Sequence, residues 1–404
     1  MKSEKYFKWT LVAFCGSWLL LKELAGPFLI VLLVLALIGR IQKQNQFVVS
    51  KQLIAWSSFF FLYVLSLTWA QEPDPAAIER KLALLAFPLL FAFRWKNPLP
   101  IAQMWLSHLL ACIVLIGIAF YDAIQCQLSL GTSVRCFSTT YFSQVHHPSY
   151  FSAFLLFAII GLLYKKIAWF ESKPRWISWG LIALFAYIHL HLGSLAGILG
   201  LLCIFFVFAT QRLLKKIGLL KSMVIAFGMG VFGMLGIGQS SEIRADASNA
   251  AQFTRTFLNN PAFFVRHRQE PLQGNEVRLI LWTAATEIGW QQPFGTGVGG
   301  LEPAFTKKLT QWGYPEQAKK EFNPHNQYLQ VWNEIGWLGL ALFLTLLGQL
   351  VVNYRRQVAS HSLLFLAIFG LFCSFESMLY RESGIVFFSC WLLALSTPIL
   401  APEE

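Results

Sequence analysis

The sequence predicts an all-α integral membrane protein with about 12 transmembrane helices and one large polar loop. Hydrophobic residues make up 56% of the 404 residues, and charged residues only 13%. Soluble globular domains carry about 25% charged residues, so the chain is too apolar for that class. Aromatic residues reach 16%, which suits lipid-facing surfaces and the belts at a membrane interface. Together these features predict many membrane spans rather than one anchor.

Twelve apolar runs divide the chain into three parts. Residues 1–238 hold nine runs, residues 239–325 form the large polar loop with short helices, and residues 326–404 hold three more. The first two runs are short for full spans, so we expect tilted helices or a tight hairpin there. The predicted spans are Trp9–Leu21, Pro27–Ile38, Leu53–Ala70, Leu82–Phe93, Ile101–Tyr121, Pro148–Tyr164, Trp176–Leu190, Leu195–Thr210, Met223–Gly238, Asn326–Val351, Leu363–Phe375 and Gly384–Leu400.

Basic residues between the runs predict the orientation of the chain. They cluster near the N-terminus and after every second span, whereas the short loops on the other side hold few. Because cytoplasmic loops are enriched in Lys and Arg, both termini are expected to be cytoplasmic and residues 239–325 to lie on the far side. The net charge of +12 is explained by these clusters, so it does not indicate a nucleic-acid partner.

The loops predicted on the far side also contain cysteines that could form a disulfide and histidines that could bind a metal. Cys126 and Cys136 share one predicted polar loop, Asp122–His147, and a disulfide or two free thiols are both open there. No HxxxH or HExxH spacing is present and no Asp-x-Asp pair occurs, so the sequence predicts no metal site and no other cofactor. The histidines predicted on this face are His146, His147, His189 and His191.

The large loop contains a patterned helix followed by a Gly-rich turn. Val277, Ile280, Leu281, Ala284, Ala285 and Ile288 recur at helical spacing, and the turn spans 293–300. Arg278 lies near the start of this helix, where a guanidinium can hold a phosphate with its planar fork. The alternative is an amphipathic surface helix held by salt bridges.

His325 lies where the polar loop meets the tenth predicted span. Pro324 suits the first turn of a helix and Asn323 suits its cap, which predicts His325 in the first turn. The positive end of the helix dipole disfavours the imidazolium form, so the side chain is expected to be neutral and able to act as a general base. The alternative is an interfacial histidine with a backbone partner.

Several segments together resemble the O-antigen ligase and polymerase family of bacterial membrane glycan transferases. They are an Arg-containing helix, a Pro-x-Gly-x-Gly-x-Gly turn and a His-Asn-x-Tyr sequence that opens a span after a large loop. The resemblance is strongest in 276–340 and rests on Arg278–Trp282, Pro293–Gly299, His325–Leu329 and Glu334–Gly339, with weaker support from Glu79–Leu89, His147–Tyr150 and Glu376–Gly384.

The resemblance implies metal-independent transfer of a glycan from undecaprenyl diphosphate to lipid A–core at the periplasmic face of the bacterial inner membrane. It implies His325 as the general base and Arg278 as a donor-diphosphate ligand. A second family arginine is expected where this chain has Leu195, so Arg266, Arg268 or Arg135 are alternatives for its role. The residues implied to support the site are Asn326, Tyr328, Gly297, Gly299 and His147.

Other functions remain open on the sequence alone. The motifs do not identify the acceptor, so a polysaccharide polymerase or a protein O-oligosaccharyltransferase of the same family fits them as well. A transporter is disfavoured, because ionisable residues inside the spans are few and the polar residues are concentrated in one loop. A structural envelope protein is the least favoured alternative.

Overall fold

The computed structural model is mostly helical, which confirms the all-α class. It describes residues 2–131, 135–170, 172–218, 220–221, 223–225, 228, 241–267, 272, 274–320 and 322–397.

The part of the chain before the polar loop contains ten of the described helices and a small ribbon. Strands β1 (Asn45–Phe47) and β2 (Phe93–Trp95) pair antiparallel with Gln46 opposite Arg94, an element that the apolar pattern does not predict. The helices are α1 (Lys2–Leu20), α2 (Ala25–Ile41), α3 (Lys51–Ser66), α4 (Pro75–Lys81), α5 (Ala83–Ala92), α6 (Ile101–Leu130), α7 (Thr139–Phe142), α8 (Pro148–Leu163), α9 (Arg175–Leu192) and α10 (Leu195–Ile217).

The second part contains the helices of the polar loop and of the C-terminal region. Those of the loop are α11 (Ser241–Asn259), α12 (Pro261–Arg266), α13 (Gly274–Gln291), α14 (Leu301–Gln311) and α15 (Pro315–Ala318). Those of the C-terminal region are α16 (Gln327–Arg356), α17 (Ser360–Phe375) and α18 (Glu382–Ser396).

Four segments among the described residues are helical, long and apolar enough to cross a membrane: Lys22–Ile41, Ile101–Leu130, Leu195–Leu214 and Gln327–Arg356. Shorter apolar helices stand at Pro148–Leu163, Ser360–Phe375 and Glu382–Ser396. Helices also occupy the other predicted spans that the structure describes. The span predicted at Met223–Gly238 lies largely outside the described residues, as do the last residues of Gly384–Leu400. The number of twelve spans therefore stays a prediction.

Helix α8 lies at the centre of the helical bundle, since every one of its residues is buried. Its apolar residues leave no polar face, which is typical of a helix surrounded by other helices. Phe157 stacks on Trp105 of α6 with ring centroids 3.6 Å apart and packs against Trp391 of α18 at 4.4 Å. At the start of α8, the Tyr150 hydroxyl donates to the carbonyl of Ser377 at 3.1 Å, so this end of the helix reaches the connection between α17 and α18.

The polar loop has a hydrophobic core of its own. The helix predicted from periodicity is α13, and Ile280, Leu281, Ala284, Ala285 and Ile288 are buried as expected. They pack in one cluster with apolar residues of α12, α14 and α15. The loop is therefore a folded layer that can hold side chains in fixed positions.

Helix α16 is broken at Ile335 and Gly336, where the sequence predicts one continuous span. Gly336 has φ 71° and ψ −168°, far from helical values. The Gly-rich turn compensates for the break, because the N–H groups of Thr296 and Gly297 donate to the carbonyls of Asn333 and Glu334 at 2.7 and 3.0 Å. At membrane depth, irregular backbone is tolerated only where it is buried in protein or lines a water-filled cavity. The turn thus stabilises the break in α16, a role that its sequence alone does not predict.

The predicted polar loop Asp122–His147 is shorter than expected. Helix α6 continues to Leu130, so Cys126 lies on the helix rather than in the loop. A disulfide joins Cys126 to Cys136, which resolves the two alternatives in favour of the bond. The bond attaches the loop to the end of α6.

Candidate functional site

His325 lies just before α16 rather than in its first turn, which corrects the predicted cap. Asn326 is the cap, because its side chain accepts from the N–H groups of Tyr328 and Leu329, both at 3.0 Å. Asn323 instead accepts from the N–H of His325 at 2.8 Å. His325 has φ 45°, a left-handed conformation that is uncommon for residues other than glycine. The helix-dipole argument for its neutrality therefore loses its geometric basis.

Glu376 pairs with His325, and this residue was not among the site residues predicted from the sequence. His325 Nδ1 lies 2.9 Å from Glu376 Oε1. A carboxylate at that nitrogen favours the tautomer with the proton on Nδ1, which leaves Nε2 free to accept a proton. The His325 side chain is 25% exposed and that of Glu376 only 7%. The pair can therefore work as a general base held in place by a buried carboxylate.

Two neighbouring helices hold Glu376 beside His325. Glu376 ends α17, and the N–H of Ser377 donates to its Oε1 at 3.2 Å. Asn326 donates to the carbonyl of Ser374 at 3.1 Å, and the Tyr328 hydroxyl donates to the carbonyl of Gly370 at 3.1 Å. The start of α16 is thus joined to the end of α17. Asn326 and Tyr328 support the pair in this way.

The charges around Glu376 keep it ionised. Burial alone would raise the pKa of Glu376, but the hydrogen bond from His325, the charges of His325 and His147 when these rings are protonated, and the charge of Arg278 hold that pKa below its usual value. Burial also lowers the pKa of His147, opposed by Glu376 and reinforced by Arg381. His147 caps α8, where its Nδ1 accepts from the N–H of Ser149 at 3.4 Å. These groups therefore form one electrostatic cluster.

The lowered pKa of Glu376 predicts a pH-dependent contribution to stability. A carboxyl group with a depressed folded-state pKa stabilises the fold above its unfolded value, which is 4.5 here, and this contribution is lost as the pH falls through the folded-state pKa. We expect the wild type to unfold at a higher temperature than Glu376→Gln at pH 7, with the difference shrinking below about pH 4.5. Thermal unfolding at several pH values measures this, and a difference that grows in acid contradicts it.

Arg278 lies on the face of α13 that meets the His325 segment. One turn further on, Trp282 donates from Nε1 to the carbonyl of Pro324 at 2.9 Å. Residues four apart lie on the same side of a helix, so this contact also directs Arg278 toward the pair. Its charge acts on both Glu376 and His147. Within the described residues no hydrogen bond or ion pair holds its half-buried guanidinium, so its donors are available to an anion.

The other predicted arginines are not part of this cluster where the structure describes them. Arg266 is exposed at the end of α12 and Arg135 is exposed in the loop before α7. Arg268 lies outside the described residues. Arg381, directly before α18, acts on His147 instead. Arg381 lies in the Glu376–Gly384 segment of the resemblance, but it was not among the site residues predicted from the sequence.

Beside the pair lies a polar cavity of about 700 Å³, which Asn323 connects to the His325 segment. Its wall contains both carboxylates and cations, together with the Tyr380 hydroxyl, which donates to Glu302 at 2.7 Å. Such a mixed polar lining suits a ligand rich in hydroxyl groups. The charged lining residues are Glu72, Asp74, Arg80, Glu302, Lys307 and Glu334.

Behind this cavity lies a buried ion pair. Lys81, 2% exposed, places Nζ 3.9 Å from Glu334 Oε2 and 4.8 Å from the ring centre of Tyr63. Gln330 donates to the other oxygen of Glu334 at 2.7 Å. The pair ties α4 to α16 at the helix break, which fixes one wall of the cavity.

Gly297 and Gly299 shape the site without belonging to the His325–Glu376 pair. Both have positive φ, 76° and 97°, and both lie against the chain that follows α3. Val298 between them donates to the Ser66 hydroxyl at 3.1 Å and accepts from the N–H of Asp74 at 3.2 Å. The glycines are thus required for close backbone packing, and Gly299 also lines the cavity.

The fold and this site define a class of protein. It is a multi-pass helical membrane protein with a histidine–carboxylate pair at the ends of two of its helices. Residues 177–344 match the family model described as O-antigen ligase, and this match supports the resemblance to the O-antigen ligase and polymerase family. The matched region includes Arg278, the Gly-rich turn and His325, whereas Glu376 follows it. A comparison with curated proteins finds no match.

Proposed function

We propose that the protein transfers a glycan from undecaprenyl diphosphate to lipid A–core at the periplasmic face of the bacterial inner membrane. The observation that carries the proposal is the partly exposed His325, paired with Glu376 and neighboured by Arg278, in an O-antigen ligase domain. The proposal includes the twelve-span topology, with residues 1–238 and 326–404 in the membrane and 239–325 in the periplasm. The basic clusters of the sequence support this orientation.

The proposed reaction needs a base and a stabiliser of negative charge. His325 Nε2 takes the proton of the acceptor hydroxyl, and its oxygen attacks the anomeric carbon of the donor sugar. The bond from that carbon to the diphosphate oxygen breaks, and both electrons leave with the lipid diphosphate. Arg278 stabilises the charge on the leaving group, and Glu376 stabilises the imidazolium. Direct attack inverts the anomeric centre.

The cavity beside the pair supports a glycan substrate, but its lining does not name the acceptor. In the reaction of a polymerase, the acceptor hydroxyl belongs to a second lipid-linked glycan. In that of a protein O-oligosaccharyltransferase, it belongs to a protein. The same three residues would serve each reaction, so the identity of the product must decide between them.

The direct test supplies purified protein with a lipid-linked glycan and lipid A–core in the presence of EDTA. We expect glycosylated lipid A–core with inverted anomeric configuration. A lengthened lipid-linked glycan would instead identify a polymerase. Failure to form any glycan product with these acceptors or a protein acceptor, from folded protein, would contradict the proposed function. A covalent glycosyl-enzyme would contradict direct attack.

Arg278→Gln tests the role of the guanidinium in donor binding and charge stabilisation. A charge-assisted hydrogen bond to a phosphate is worth about 1.5–3 kcal/mol, so kcat/KM for the donor should fall roughly 10- to 100-fold. The matched control is Arg255→Gln, which removes an exposed arginine from α11. Equal effects of the two substitutions would show that Arg278 has no specific role.

A further inference from the structure

Two neighbouring cavities lie at the end of the helix bundle opposite His325. Helix α16 starts next to His325 and ends at Arg356, and α17 and α18 likewise have one end near Glu376 and the other near these cavities. At 1.5 Å per residue, the part of α16 after its break at Gly336, from Trp337 to Arg356, alone spans about 30 Å. The cavities are therefore separate from the candidate active site.

The first cavity, of about 600 Å³, has a mostly apolar wall. Phe7, Phe91 and Trp95 line it together with Leu395, and Arg94 lies among them. The second cavity, of about 810 Å³, also exposes mainly apolar surface, but most of its lining residues are polar or charged, and Arg94, Lys51 and Arg356 make it cationic. Arg94 and Gln357 line both cavities, so an apolar chamber and a cationic chamber meet at these two side chains.

Arg94 has unused hydrogen-bonding capacity at this junction. Its backbone is fixed in the ribbon opposite Gln46. Its Nη1 is buried and has no hydrogen-bond partner among the described residues. Leaving a charged donor buried without a partner is costly, so an anion that accepts from it would be strongly favoured. Among the residues that the structure describes, no carboxylate lines either cavity to fill that role.

We propose that these cavities bind an anionic phospholipid, with its phosphate beside Arg94, Lys51 and Arg356 and an acyl chain in the aromatic chamber. The combination of a cationic chamber and an apolar chamber fits a ligand with both parts, whereas a free phosphate would use only the first. Basic pockets between membrane helices are known to favour anionic lipid headgroups. The proposal is independent of the reaction proposed for His325.

The test measures lipid retention by the purified full chain in detergent, using native mass spectrometry and a titration with phosphatidylglycerol. We expect saturable binding of phosphatidylglycerol and weaker binding of the zwitterionic phosphatidylethanolamine. Arg94→Gln should weaken phosphatidylglycerol binding about tenfold, since one charge-assisted contact is lost. Arg355→Gln is the matched control, because Arg355 is exposed at the same end of α16 and lines neither cavity.

A second variant keeps the test interpretable if Arg94→Gln does not fold. Lys51 and Arg356 are exposed, so Lys51→Gln/Arg356→Gln should fold normally and still weaken phosphatidylglycerol binding. Equal binding of the two lipids, or unchanged binding in both the Arg94 variant and this double variant, would overturn the proposal. Displacement of phosphatidylglycerol by inorganic phosphate alone would identify a free-anion site and overturn the lipid assignment.

Discussion

Replacing His325 with alanine is expected to lower the rate of glycan transfer by roughly 10²- to 10⁴-fold, the usual contribution of a positioned general base. The reason is that the hydroxyl of the acceptor then has no group to take its proton, whereas Arg278 and the cavity stay in place. The measurement is single-turnover transfer from the lipid-linked donor. The unfolding temperature of the same preparation establishes that the variant is folded.

The matched control is His267→Ala, which removes a histidine from the same polar loop. His267 is exposed, stacks on Phe263 at 4.0 Å, and places Nδ1 2.9 Å from the carbonyl oxygen of Phe263. Its loss should leave the transfer rate within about twofold of the wild type, as is usual for surface substitutions. A His325 variant that transfers as fast as the His267 variant would contradict the base role.

Gly299→Ala is expected to give the largest loss of stability. Gly299 has φ +97°, and a Cβ atom added there would lie 1.9 Å from the carbonyl oxygen of Glu72. The left-handed conformation costs about 1–2 kcal/mol for a residue with a side chain. Forcing the backbones apart adds roughly 1–3 kcal/mol. The expected result is a lower thermal unfolding temperature and reduced transfer, because the cavity wall moves.

Gly313→Ala separates these two costs. Gly313 also has positive φ, +85°, but a Cβ atom there would meet nothing within 4 Å. This variant should lose only the conformational part, about 1–2 kcal/mol. If both variants unfold at the same temperature, the close approach of the Gly-rich turn to Glu72 does not matter for stability.

Local patterns in the sequence were sufficient to predict much of the fold. The all-α class follows from composition, and α13 follows from the spacing of Ile280, Leu281 and Ile288. The Gly-rich turn is also visible, because glycine tolerates the positive φ that Gly297 adopts. Each of these features depends on residues that are neighbours in the chain, so a single sequence contains enough information to predict it.

The features that depend on distant residues were not predictable. Glu376 lies 51 residues after His325 and reaches it only because α16 and α17 run side by side. The break in α16 depends on Pro293 and Gly297, which supply its hydrogen-bond partners from the preceding turn. The cap was misassigned because Asn323 and Asn326 both suit that position by type, and only the backbone path distinguishes them.

A double-mutant cycle tests most directly whether His325 and Glu376 act as one catalytic unit. Transfer rates are measured for wild type, His325→Ala, Glu376→Gln and the double variant at one pH. If Glu376 acts through His325, its substitution slows the wild type, on the order of a hundredfold, but slows the His325→Ala variant no further. Independent, multiplying losses would contradict the claim that the two side chains form one catalytic unit.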